Sequence, residues 1–153
     1  MSKEKSNYQR TADWLAACGK EPGNKQHLAT QIGVHLEECM ELLDELIITG
    51  SAADNENLIT AATTIKGVAY RLKQGATGVN IKNRASALDA LCDAEVTGNG
   101  VAFLAGFRKD EADFRVLRSN ESKLNEDGTP VILAGGKIGK SARYVPPFLL
   151  DLV

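Results

Sequence analysis

KQHLATQIGVHLEECMELLDELIIT, residues 25–49, decides the fold class. Leu28, Ile32, Leu36, Cys39, Leu43 and Leu46 recur every three or four residues, the period of one helix face. The stretch therefore predicts one long helix from Lys25 to Thr49, ended by Gly50. Its other face is crowded with like charge. Glu37, Glu38, Glu41, Asp44 and Glu45 fall within twelve residues, and no Lys or Arg occurs from Gln26 through Ile65. Carboxylates three and four apart on an exposed helix repel by roughly 0.2–0.5 kcal/mol per pair. A helix that keeps them together calls for a counter-charge from elsewhere.

Outward from this segment the chain continues to read as helix. Residues 7–18 predict a short amphipathic helix ended by Gly19, with Trp14 and Leu15 as its buried contacts. "SAADNEN" has cap chemistry, and a helix is expected over Leu58–Leu72 with Gly75 and Gly78 beyond it. A fourth is expected over Asn83–Val96, with a continuation to Leu104 through Gly98 and Gly100, which permit close approach of another backbone. A fifth covers Lys109–Leu117. After it the turn at Asp127-Gly128, the apolar run Val131–Leu133 and Gly135-Gly136 predict a small hairpin, and Pro146-Pro147 rules out a closing helix there. The expected fold is all-α: a bundle of four to five helices with a short C-terminal β-hairpin or arm. One domain is expected over residues 1–153, with a helical core at about 7–118 and the arm at about 119–153.

Composition narrows the function classes. A net charge of −2 gives no electrostatic footprint for a nucleic acid polymer or an anionic membrane. No run approaches 18 apolar residues, and "MSKEKSNYQR" has no apolar core for a signal peptide, so a cytoplasmic protein is expected. Cys18, Cys39 and Cys92 have neither disulfide parity nor zinc spacing, and are expected to be small buried thiols. Charge is unevenly distributed: residues 26–65 hold seven acids and no Lys or Arg, whereas residues 57–88 hold five basic residues and no acid. Two helices with complementary faces are the plain explanation.

On a helix Glu41 neighbours both Glu37 and Glu38, so E-E-x-x-E brings three carboxylates towards one point. Hard divalent cations such as Mg²⁺ take such oxygen ligands together with substrate phosphates and water. A solvated acidic face is the alternative for this motif alone. "ALDALCDAEV" adds Asp89 and Asp93 one turn apart among Leu88, Leu91 and Cys92, where partial burial is expected and no basic residue lies between Arg84 and Arg108. If the two helices pack antiparallel, both acid sets line one pocket and a metal answers both. The tail offers cations and donors in Asn120, Lys123, Lys137 and Lys140.

E37-E38-x-x-E41, "DALCD", S119-N120-x-S122-K123, D127-G128 and G136-K137-x-x-K140 with Y144-x-P146-P147 occur in that order over about residues 7–148. In this the chain resembles the MazG-like all-α nucleotide pyrophosphohydrolases, in the single-domain branch that includes phosphoribosyl-ATP pyrophosphohydrolase-like proteins. The resemblance implies Mg²⁺-dependent (or Mn²⁺-dependent) hydrolysis of a (deoxy)nucleoside triphosphate between its α and β phosphates, by a homodimer or homotetramer. It also implies metal ligands at Glu38, Glu41 and Asp93, with Asp89 the available substitute for the family's second-motif Glu. Ala90 stands three residues before Asp93 and Ser86 three before Asp89. Glu37 and Glu38 are both candidates for the general base, and Asn120, Lys123, Lys137 and Lys140 for holding the phosphates. Phosphoribosyl-ATP hydrolysis is an alternative, as is a catalytically silent helical oligomer that binds a nucleotide or a protein partner.

Three other signals carry less. "AGGKIGKS" departs from a phosphate-binding loop at Ala134, where Gly is required, and Pro146 leaves no room for the helix that must follow. His27 and His35 read as packed or solvated. Trp14 and Tyr144 have faces on which a base can stack, although core packing is the expected role of Trp14.

Overall fold

The computed structural model describes residues 4–133 and 138–153, in which five α-helices form: α1 (Asn7–Ala17), α2 (Lys25–Asp44), α3 (Ala52–Lys73), α4 (Arg84–Ala105) and α5 (Lys109–Glu121). A 3₁₀ turn follows at Leu150–Leu152. The chain divides into two compact units, one made of Glu21–Asn80 and the other of Met1–Lys20 with Ile81–Val153. No helix among the described residues is long and apolar enough to cross a membrane.

In the unit Glu21–Asn80, α2 and α3 pack on each other as a helical hairpin. Asn24 caps α2, its side chain accepting from the Gln26 and His27 N–H groups. The buried residues are mostly small: Ala29, Gly33 and Met40 on α2, and Ala62, Ala69 and Leu72 on α3. Small residues let the helix backbones approach, and Gly33 is the tightest point. A Cβ there would lie 2.7 Å from the Ala69 carbonyl oxygen and 2.9 Å from Lys73 Cγ.

Two boundaries differ from expectation. α2 stops at Asp44 rather than Thr49, with Glu45 as its C-cap and Leu46, Ile47 and Ile48 exposed. Two consecutive β-branched isoleucines and Thr49 hold a helix poorly, and Gly50 at φ +84° turns the chain. α3 begins at Ala52, six residues before the expected Leu58, because Ser51 Oγ accepts from the Asp54 N–H (3.2 Å). Asn55 Oδ1 accepts from the Ile48 N–H (3.0 Å), which ties down the connection.

In the other unit α1 packs against α5, and α5 also contacts α4 and the terminal 3₁₀ turn. The Arg10 guanidinium donates two bonds to the Glu121 carboxylate (2.9 and 3.0 Å) and lies 5.2 Å from the Phe114 ring centre. α4 runs unbroken through Gly98 and Gly100 and ends at Gly106, whose φ of +80° closes the helix. α5 continues to Glu121, beyond the expected Leu117, so Asn120 sits in its last turn and not in the arm.

The expected β-hairpin is not seen. Among the described residues no strand forms, only single antiparallel bridges between Leu124 and Pro130 and between Ile132 and Ile138. Pro130 has no N–H with which to extend a ladder. The Asp127-Gly128 turn is present, with the Thr129 N–H and hydroxyl both donating to Asp127 Oδ1, which holds that carboxyl below the ordinary aspartate range. Gly135-Gly136 lies outside the described residues. The arm returns to α5: Arg115 donates to Asp151 (2.6 and 3.0 Å) and to the Phe148 carbonyl (2.8 Å), the Arg108 N–H bonds the Leu152 carbonyl (2.9 Å), and Leu152 is buried.

Gly33→Ala is expected to destabilise the protein by about 1–3 kcal/mol in urea unfolding, because the added methyl meets a backbone oxygen that cannot move alone. Gly→Ala at an open helical position acts in the opposite direction, so a more stable variant would disprove the close contact. A second prediction concerns the arm. Arg115 holds the Asp151 carboxyl below its ordinary value, so its contribution exists above the unfolded-state value and disappears as pH falls through the lowered one. Asp151→Asn should therefore lower Tm slightly at neutral pH and leave it unchanged in strong acid.

Candidate functional site

The candidate carboxylates occupy two helices, Glu37, Glu38 and Glu41 on α2 and Asp89 and Asp93 on α4. The capped, continuous helix places Glu41 one turn from both Glu37 and Glu38, as their spacing requires. Part of the counter-charge that α2 calls for comes from α3. Lys73 Nζ donates to Glu37 Oε2 at 2.5 Å, and Lys66 pairs with Asp44. The acidic and basic blocks of the sequence thus meet within one hairpin. Glu37 is half-buried beside its lysine, while Glu38 and Glu41 are exposed.

Asp89 and Asp93 are exposed, contrary to the expected partial burial. Leu88, Leu91 and Cys92 around them are themselves exposed, so the carboxylates keep their water and need no buried partner. The cysteine expectation changes in the same way: Cys18 is buried, Cys39 half-buried and Cys92 exposed, all as free thiols. Burial pushes the Cys18 thiol up, and Lys20 and Lys123 draw it partly back.

An all-carboxylate donor set matches Mg²⁺ or Mn²⁺ in kind. Among the described residues, however, no group of three or more His, Cys, Asp or Glu side chains is placed to hold a metal ion. The donors fit in chemistry, and the convergence of three carboxylates expected of E-E-x-x-E is not formed by the described side chains.

Two of the candidate phosphate-binding groups are brought together. Lys123 Nζ donates to Asn120 Oδ1 (2.8 Å) and lies 5.7 Å from the Trp14 ring centre. Lys140 stands 4.4 Å from the Tyr144 ring centre. Lys137 lies outside the described residues. Two hydroxyls that were not singled out in the sequence fix the arm beside this pair. Ser122 Oγ donates to the Ser119 carbonyl (2.7 Å) and accepts from the Val145 N–H (3.0 Å). Ser141 Oγ donates to the Ser122 carbonyl (2.9 Å) and accepts from the Arg143 N–H (3.0 Å). The S-N-x-S-K motif held this signal, which a reading for charge passes over.

A cleft of about 500 Å³ opens between α1 and α5, with Lys5, Arg10, Trp14, Phe114 and Glu121 among its lining residues. None of the candidate carboxylates or lysines lines it. Four of its charges pair internally, Lys5 with Asp13 and Arg10 with Glu121. Trp14 Nε1 is buried without a hydrogen-bond partner among the described residues.

No protein-family model matches the chain, and comparison with curated proteins and with solved structures gives no significant match.

The Glu37–Lys73 pair is partly exposed, so a double-mutant cycle with Glu37→Gln and Lys73→Met is expected to give a coupling of up to about 1 kcal/mol. A coupling of zero would show that the pair contributes nothing to the hairpin.

Proposed function

We propose that this chain is a Mg²⁺-dependent nucleotide pyrophosphohydrolase of MazG-like type, which splits a (deoxy)nucleoside triphosphate into the monophosphate and pyrophosphate. The observation that carries the reading is the order of E-E-x-x-E, "DALCD", S-N-x-S-K and G-K-x-x-K along one chain. An unbroken α2 with Glu41 beside both Glu37 and Glu38 supports it, as does the Asn120–Lys123 pair. In this reading Glu38, Glu41, Asp89 and Asp93 hold the metal, and Glu37 or Glu38 accepts the proton of the attacking water. The bound ion supplies charge neutralisation at the phosphates. Asn120, Lys123, Lys137 and Lys140 hold the β and γ phosphates and stabilise pyrophosphate as it leaves. A cytoplasmic homodimer or homotetramer belongs to the same reading, and phosphoribosyl-ATP is the alternative substrate.

A second reading is a catalytically silent helical oligomer that binds a nucleotide or a protein partner. The ion pairs favour it, because Lys73 and Lys66 already answer two of the five carboxylates of residues 37–45. So do Ala90 and Ser86, which stand where the second acidic motif would carry Glu.

A panel of nucleoside triphosphates with Mg²⁺ separates the two. The proposal expects monophosphate and pyrophosphate as initial products, with ¹⁸O from labelled water in the monophosphate. Glu41→Gln should lower turnover by orders of magnitude, while Lys123→Ala should lower kcat/KM chiefly through a higher KM. Diphosphate and orthophosphate as first products would refute the assignment, and near-normal turnover of Glu41→Gln would return α2 to a solvated face.

A further inference from the structure

Among the described residues the buried polar side chains are two serines, Ser119 and Ser141, 6% and 8% exposed. Both residues take part in one set of hydrogen bonds around Ser122, the C-cap of α5. A single turn of the arm grips Ser122 twice. The Ser122 carbonyl accepts from Ser141 Oγ (2.9 Å), and its hydroxyl accepts from the Val145 N–H (3.0 Å). That turn is closed on itself, the Tyr144 N–H donating to the Ser141 carbonyl (3.1 Å) and the Arg143 N–H to Ser141 Oγ (3.0 Å). The last carbonyls of a helix and a hydroxyl taken out of water both require partners, and here each supplies the other's.

Lys140 lies on the chain between two anchored residues. Before it the Gly139 N–H donates to the Val131 carbonyl (2.7 Å), and after it stands Ser141. Its ammonium rests 4.4 Å from the Tyr144 ring centre, within the same turn. On the helix side Asn120 and Lys123 flank Ser122 and are joined to each other. The described ion pairs of this unit lie elsewhere, on Lys5, Arg10, Lys109 and Arg115. Lys123 and Lys140 are thus held by neutral groups, an amide oxygen and aromatic rings, which orient a cation without cancelling its charge.

We propose that Ser122 and Ser141 are positioning residues for the leaving pyrophosphate. They fasten the 140–145 turn to the end of α5, so that Asn120, Lys123 and Lys140 meet the β and γ phosphates as one preset group. This rests on the functional reading that assigns those three side chains to the phosphates. The serines act through them and not on the substrate. Each hydroxyl has already given its single proton to a backbone carbonyl, which leaves neither to bond a phosphate oxygen. A fastened turn loses little further freedom when the anion arrives. With the clasp opened, Lys140 keeps its charge but has to be ordered at each encounter, and affinity falls although no ligand contact is removed.

Equilibrium dialysis of the full chain against ³²P-labelled inorganic pyrophosphate, in EDTA and at low salt, tests it through a double-mutant cycle. Lys140→Ala is expected to weaken binding by about tenfold, the loss of one charge-assisted contact. Ser141→Ala should weaken it comparably, though it removes no ligand contact. The double variant should bind no more weakly than Lys140→Ala alone, because the loosened turn then has no cation to misplace. Circular dichroism checks that each variant keeps its helices, and if Ser141→Ala does not, Ser122→Ala takes its place in the cycle. Wild-type affinity in the serine variant, or losses that simply add, would overturn the proposal, as would a wild type that binds no pyrophosphate. Turnover is measured separately. Hydrolysis of triphosphates with an additive cycle keeps the enzyme and removes the role of the serines. Non-additive pyrophosphate binding without hydrolysis does the reverse.

Discussion

The acidic stripe of α2 is the constraint on which the functional reading depends. Five carboxylates within twelve residues have to be answered by cations, by water or by metal. Lys73 and Lys66 on α3 answer Glu37 and Asp44, and they reach α2 because Gly33 lets the two helices close to van der Waals contact over Ala69. Packing and electrostatics are therefore coupled in this hairpin. A larger residue at Gly33 would separate the backbones and lengthen the ion pairs together. Glu38 and Glu41 face outward on the same helix, and in the proposed function they are the carboxylates that take the metal.

Helix identity was legible from apolar period, but helix length was not. Capping and backbone chemistry moved the ends: Ser51 starts α3 early, and the β-branched Ile47-Ile48 pair stops α2 early. The hairpin expectation followed the Asp127-Gly128 turn, the apolar run Val131–Leu133 and Gly135-Gly136, and gave too little weight to Pro130, which removes a ladder donor. Within the candidate site, the Glu37–Lys73 pairing was readable as an acidic block beside a basic one. Which lysine meets which carboxylate depends on the hairpin crossing, and a linear reading does not contain that. The exposure of Asp89 and Asp93 was misjudged because apolar neighbours were equated with buried neighbours.

That misjudgement leads to the character of α4. Apolar residues in a helix normally imply a covering partner, and on this helix most of them remain open to solvent. The same exposure removes the argument for buried aspartates.

The central claim is that the α2 carboxylates hold a divalent ion and are more than a charged face paired with α3. Mn²⁺ titration followed by electron paramagnetic resonance, with a non-hydrolysable nucleoside triphosphate present, tests it most directly. The account predicts protein-bound Mn²⁺ beyond the nucleotide-only control, lost in Glu41→Gln and retained in Lys66→Ala. A wild-type spectrum identical to the nucleotide-only control would contradict it.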